Sequence, residues 1–262
     1  NETKKIFLKW SKNHKKIFSY FLKRFKNLSF IISDCVPEAF ELANKIKCKS
    51  FCISHFTWDW FYEKVCKGNP KQINQMKDYL QKADKFYFPP FTPKLILKRY
   101  KSKIFNSNFI VSNFDKKKEL KNKKFKCLIM DNGTKNLSKQ ISDTIPYLKK
   151  IDNVLFYIGT YSLKQKIIKE IIDSNNLIPV TGLKNMHSYV PSMNMIISRG
   201  GFNSISECLT LKKPAMFAKE KNNPEIYSNV KLVKNEKVAS IIKNEDWGKN
   251  FQSRFNRFLK FE

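Results

Sequence analysis

Short apolar runs, bounded by turn residues and separated by helical stretches of about ten residues, recur along most of this chain, and that rhythm restricts it to an α/β fold. In the first half Phe30-Ile31-Ile32 is a predicted strand ending at Ser33-Asp34, and Pro37 to Lys47 is a helix with Pro in its first turn. Ser50-Phe51-Cys52-Ile53-Ser54 is the next strand. A loop from His55 to Trp60 leads into helix, Pro70 to Ala83 is helical, and Phe86-Tyr87-Phe88 and Phe109-Ile110-Val111 read as two more strands. The second half repeats the rhythm with strands at Cys127-Leu128-Ile129-Met130, Val154 to Ile158, Leu177 to Val180, Met195-Ile196-Ile197 and Pro214 to Phe217. Helices from Ser138 to Lys149, Leu163 to Ile172 and up to Leu211 separate them. Near-continuous apolar strands alternating with helices are the mark of parallel sheets, here doubly wound open sheets that bind ligands beyond their carboxyl ends.

At 262 residues the chain exceeds the roughly 250 at which a single core stops growing, so two domains are expected. The charge-dense segment Asp115 to Lys124 is the natural connector. Residues 1–115 form the first Rossmann-like domain, 116–248 the second, and 249–262 a terminal helix whose Phe251, Phe255, Phe258 and Leu259 share a face that packs back on the first domain. Ahead of the first strand, residues 3 to 28 carry Phe7, Trp10, Phe18, Phe21 and Phe25 at helical spacing among nine basic residues. That stripe suits either an anionic membrane face or the face of a sheet.

Charge narrows the classes of function less than its size suggests. Lys and Arg number 51 against 22 Asp and Glu, a formal net charge of +29, yet only five of the basic residues are Arg. Nucleic-acid readers lean on the planar guanidinium, so a specific nucleic-acid partner is not expected. Two explanations of the excess stand: lysine filling solvated faces, or attraction to an anionic surface or a phosphorylated substrate. Six scattered Cys without a Cys-x-x-Cys pair, and three His, supply no zinc motif and indicate a reduced, cytoplasmic setting. No apolar run approaches the roughly 18–20 residues of a membrane span, which leaves a soluble or peripheral protein.

Glycine is scarce, seven in all, so Gly200-Gly201 between an apolar strand and a helix is informative. Glycine there lets a ligand approach the backbone, and the N–H groups of the next helical turn attract an anion such as a diphosphate. Asn203, Ser204 and Glu207 follow three or four residues apart on one helix face, with Glu207 a turn deeper, within reach of ribose hydroxyls. The same Ser204-Ile205-Ser206-Glu207 fits a Ser-x-x-Glu capping box, which needs no ligand. No Gly-x-Gly-x-x-Gly or phosphate-loop sequence is present.

The stretch from Met195 through Arg199-Gly200-Gly201-Phe202-Asn203-Ser204-Ile205-Ser206-Glu207 to Pro214-Ala215 resembles the signature of the C-terminal, donor-binding domain of GT-B glycosyltransferases of the family 28 type. Asp131-Asn132-Gly133-Thr134 resembles that domain's first glycine-rich turn. In the first half, Ser33-Asp34-Cys35-Val36-Pro37 and Ser54-His55-Phe56-Thr57-Trp58-Asp59-Trp60 resemble segments of predicted glycosyltransferases related to the family. The resemblance implies two Rossmann-like domains, the first lacking its opening strand and glycine-rich loop. It implies that Gly200, Gly201, Asn203 and Ser204 meet the donor diphosphate with Arg199 as a charge partner and Gly133 and Thr134 on the other side. Glu207 would hold the ribose, Leu183 to His187 would lie near the base, and Asn223 and Glu225 would reach the sugar, although the family's usual Gln is missing. His187 and His14 are otherwise expected to be structural or surface residues.

The expected function is therefore transfer of a sugar from a nucleoside-diphosphate sugar, UDP-linked by the resemblance, to a glycan or lipid-linked acceptor at the inner face of a membrane. No metal or other cofactor is required. Asp34, His55 and Asp59, near the carboxyl ends of the first two strands, are the candidates for the base that takes the acceptor proton. A nucleotide-sugar 2-epimerase and a non-catalytic, partner-dependent donor-binding subunit remain as alternatives.

Overall fold

A computed structural model of the chain describes residues 2–66, 69–111, 113, 120, 123–130 and 137–260. The chain divides into two units, Asn1–Phe109 and Ile110–Glu262, slightly ahead of the boundary expected at 115.

The first unit runs α1 (Glu2–Arg24), β1 (Phe30–Ser33), α2 (Pro37–Ile46), β2 (Lys49–Ile53), α3 (Trp58–Val65), α4 (Pro70–Leu80), β3 (Lys85–Phe88), α5 (Lys94–Arg99) and β4 (Ile104–Asn106). Its four strands are parallel, in the order β1-β2-β3-β4. Ser33 Oγ accepts the Val36 N–H at 3.0 Å, turning the chain out of β1, and Pro37 starts α2. The fourth strand falls at Ile104–Asn106 rather than at Phe109-Ile110-Val111. Tyr87 and Phe105 pair in register across β3 and β4, whereas Phe109 leaves the sheet and stacks on Phe91 with ring centroids 5.8 Å apart.

Because the strands are added in one direction, right-handed crossovers put their helices on one side of the sheet. The buried core of this unit lies there, between Cys52, Phe86 and Phe88 of the strands and Phe40, Phe61, Met76 and Ile96 of the helices. The opposite face carries an aromatic row, Phe30, Phe51, Tyr87 and Phe105, whose outer members are exposed. Helix α1 lies against α2 and α3 rather than on the sheet: Phe7 is fully buried, its ring 4.6 Å from that of Tyr62. On its outer face Ile6, Ile17 and Tyr20 are exposed among lysines.

The second unit runs β5 (Phe125–Met130), α6 (Ser138–Leu148), β6 (Val154–Gly159), α7 (Gln165–Ile172), β7 (Leu177–Val180), α8 (Leu183–Tyr189), β8 (Met195–Arg199), α9 (Phe202–Thr210), β9 (Ala215–Ala218), α10 (Pro224–Asn235), β10 (Ser240–Ile242) and α11 (Phe251–Leu259). Its six parallel strands are ordered β10-β9-β8-β5-β6-β7. From β5 the chain winds one way through β6 and β7, then crosses to β8 and winds the other way. Both faces are therefore covered, and β6 is buried at every position. The sixth strand, β10, was not expected; with three residues it is too short to show a period.

Phe251, Phe255 and Phe258 of α11, the face expected to pack on the first domain, belong to the core of the second unit, with Phe255 against Phe156 and Phe125. The chain reverses before it through Gly248, whose N–H donates to Thr144 Oγ1 at 2.9 Å and whose φ of 64° suits glycine. All six cysteines are free, and among the described residues no group of His, Cys, Asp and Glu is placed to hold a metal.

Candidate functional site

Strands β5 and β8 are neighbours from which the chain winds in opposite directions, so the crevice at their carboxyl ends is the ligand position of such a sheet. The turn after β5, with Gly133 and Thr134, lies outside the described residues. The turn after β8 is Gly200-Gly201, and its two glycines serve different ends. A Cβ on Gly200 would sit 2.1 Å from Val230 Cγ2, so glycine is required there by the close approach of α10. The Asn229 amide donates to Gly200 O at 3.3 Å and holds the same contact from the side. At Gly201 a Cβ would meet nothing among the described residues nearer than Arg199 O at 4.0 Å, so no packing there demands glycine.

Gly201 is the N-cap of α9, with extended φ and ψ and no side chain to cap the first turn. The helix thus presents the positive end of its dipole at the crevice. This start also decides between the two accounts of Ser204 and Glu207. A capping box would place Ser204 at the N-cap, but Ser204 lies inside the first turn and Glu207 in the second, so the box does not form. Asn203 is exposed beside the turn while Ser204 is buried.

Glu207 is 3% exposed, and a carboxylate that deep needs a partner. His187 of α8 supplies it: Nδ1 lies 2.9 Å from Oε1 and 3.1 Å from Oε2. An ionised carboxylate only accepts, so Nδ1 carries the proton. The hydrogen bond to Glu207 raises the His187 pKa above its ordinary value, against burial, which acts to lower it. A raised pKa in the folded state means that the pair stabilises fully below about pH 6.5 and loses its effect as pH rises through the folded value. The stability difference between wild type and His187→Asn, measured by urea unfolding, should accordingly be larger at pH 6 than at pH 8.5. Equal differences at both would contradict a charged pair.

The other expected donor residues are dispersed in role. Arg199 Nε lies 2.7 Å from Glu220 Oε1, so its charge is already balanced within the protein. Asn223 is the N-cap of α10, its Oδ1 accepting the Ile226 N–H at 3.2 Å, and Glu225 follows in the first turn. Of the candidate bases, Asp34 is exposed at the carboxyl end of β1. His55 is half-buried with its ring edge-on to Phe56. Asp59 does not fit a base: it is 0% exposed, its Oδ2 takes Arg99 Nη1 and the Tyr100 hydroxyl at 3.2 Å, and no acceptor reaches it. Arg99 also bonds Glu63 Oε2 at 2.7 Å and Lys77 reaches Glu63 Oε1 at 2.6 Å, so Asp59 anchors an ion network joining α3, α4 and α5. Trp60 is core, 4% exposed, while Trp58 stacks on Tyr62.

Residues 132–258 match the model of the glycosyltransferase family 28 C-terminal domain, a stretch that includes β8 and α9. That match covers most of the second unit. The chain is accordingly a glycosyltransferase, and its two parallel α/β units are those of the GT-B fold. Solved glycosyltransferases share that fold. The calicheamicin glycosyltransferase has a TM-score of 0.68 at 10% identity, matching 97% of this chain and 71% of that one. MurG of Acinetobacter baumannii has a TM-score of 0.59 at 14% identity, over 92% and 68%. A spinosyn rhamnosyltransferase complexed with thymidine diphosphate has a TM-score of 0.64 at 7% identity, over 99% and 72%. This glycosyltransferase thus spans about seven tenths of the length of each of these neighbours. No curated protein matches its sequence.

The resemblance placed Leu183 to His187 near the base and His187 was otherwise expected to be structural or at the surface; sequence reasoning missed its pairing with Glu207, for nothing in the spacing brings the two together.

Proposed function

We propose that this glycosyltransferase binds a uridine diphosphate-linked sugar in the crevice of its second unit and transfers the sugar to a glycan or lipid-linked acceptor. One observation carries the donor reading: a buried glutamate one turn inside a helix that starts, with glycine as its N-cap, at the switch point of the sheet. The helix N-terminus would take the diphosphate, Gly201 would let it approach the backbone, and Glu207 would accept from the ribose hydroxyls. The same electrostatics would stabilise the diphosphate as leaving group, since its charge develops as the sugar departs. Thymidine diphosphate in the spinosyn enzyme supports a nucleoside diphosphate as the ligand class. For the acceptor proton we propose Asp34, the exposed carboxylate among the three candidates.

Thermal-shift and calorimetric titration with uridine diphosphate test the donor site. Wild type should be stabilised by the nucleotide, Glu207→Ala should bind it roughly 10–100-fold more weakly, as hydrogen bonds to a charged group are worth about 1.5–3 kcal/mol, and Gly201→Trp should not bind. Absence of any shift in wild type would remove the donor reading.

The acceptor is proposed to lie at an anionic membrane surface, to which the protein attaches peripherally from the cytoplasmic side. The support is the outer face of α1, with Ile6, Ile17 and Tyr20 exposed among lysines, in a chain of net charge +29. No helix among the described residues is long and apolar enough to cross a membrane. Sedimentation with vesicles containing phosphatidylglycerol should carry the protein down at low salt and release it at high salt, and Ile6→Ser with Ile17→Ser should weaken the association. Equal sedimentation with neutral vesicles would contradict this attachment.

A further inference from the structure

The His187–Glu207 pair joins α8, which follows β7, to α9, which follows β8. A glutamate side chain has three rotatable bonds, and a carboxylate that is to accept from two neighbouring hydroxyls must present its lone pairs in one direction. Packing alone orients an apolar group, whereas a carboxylate at 3% exposure follows its hydrogen bonds. His187 Nδ1 lies within bonding distance of both oxygens, 2.9 and 3.1 Å, and so occupies the lone pairs on one side of the carboxylate. The remaining lone pairs face away from the ring. The ring itself is not buried with its partner: the His187 side chain is 42% exposed, so its other edge is open to solvent.

We infer that His187 is a positioning residue for the donor site: it holds the Glu207 carboxylate in the orientation that receives the ribose hydroxyls, without itself contacting the reacting atoms. The inference rests on the donor reading above and adds to it the residue on which ribose recognition depends. A glutamate without such a donor would be free to rotate away from the ribose, and ribose discrimination would fall. Asparagine at this position places an N–H close to where Nδ1 stands, whereas glutamine reaches instead toward the position of Nε2. The two amides therefore separate the geometry of the donor from the mere presence of a polar side chain.

The test compares affinity for uridine diphosphate with affinity for its 2′,3′-dideoxy analogue, which keeps base and diphosphate but lacks both hydroxyls. Wild type should prefer the ribonucleotide by at least about tenfold. His187→Phe should lose most of that preference while binding the dideoxy analogue as wild type does, since the diphosphate end of the site is untouched. His187→Asn should restore the preference and His187→Gln should not. A merely structural histidine would lower both affinities together or leave both unchanged. Full preference in His187→Phe overturns the inference, as does a wild type that binds both nucleotides equally. If His187→Phe does not fold, the Asn and Gln variants decide: equal preference in the two overturns it. Failure of wild type to bind either nucleotide overturns the donor reading instead, which is a different result from loss of discrimination with binding intact.

Discussion

Replacing Arg99 by Ala should destabilise the first unit by about 3–5 kcal/mol, the usual effect of leaving a buried charge without its partner. Asp59 is 0% exposed and Arg99 is its only cationic neighbour by contact distance among the described residues, with the Tyr100 hydroxyl a secondary donor. Asp59 Oδ1 already lacks a hydrogen bond, so nothing in place can absorb the loss. The damage should spread to Glu63, which Arg99 and Lys77 share, and whose pKa is lowered mainly by its hydrogen bonds to those two cations, against burial, which raises it. Hydrogen exchange read by mass spectrometry should show faster exchange in α3 and α5 with the second unit unchanged. A paired replacement, Asp59→Leu with Arg99→Met, should recover most of the stability, because an apolar pair of similar volume removes the charge along with its partner. Stability of Arg99→Ala within about 1 kcal/mol of wild type would mean that Asp59 is not held as the ion network implies.

Phe255→Ala should cost about 3–5 kcal/mol, and the loss should fall on the second unit. The ring is fully buried and lies 5.5 Å from Phe156, 5.6 Å from Phe251 and 6.4 Å from Phe125. Removing it opens a cavity against the sheet at β5 and β6, and Trp247, 5.9 Å from Phe251, should report the change in its fluorescence. In hydrogen exchange, α6, α11 and β6 should open more readily while the first unit keeps its protection. Destabilisation confined to the first unit would contradict the place of Phe255 in the second unit's core.

Those two expected results come from contacts that spacing did not reveal, and the contrast with what it did reveal is instructive. The α/β alternation, the break at Gly200-Gly201 and the depth of Glu207 were readable because each depends on a local period: two for strands, 3.6 for the helix, and glycine where no side chain fits. Even so, the reason for Gly200 was not readable. The flexible-backbone argument applied equally to both glycines, and only the approach of Val230 showed that one is a packing requirement and the other is not. The capping box failed in a similar way. Ser204-Ile205-Ser206-Glu207 satisfies the pattern, but Gly201 starts the helix three residues earlier, and a pattern cannot state its own register.

Taken by itself, the sequence determined the class of fold, the second unit's strand-turn-helix crevice and the presence in it of a carboxylate one turn below an anion-attracting helix end. It could do so because steric preferences, hydrophobic period and helix termini act between residues a few positions apart. Tertiary structure decided the partners. His187 stands 20 residues from Glu207 and Arg99 stands 40 from Asp59, and Phe255 of α11 packs on Phe125, 255 − 125 = 130 residues earlier. Such pairs meet only when right-handed crossovers and the order of the strands bring them together, so one candidate base became a structural anchor and one histidine became the partner of Glu207.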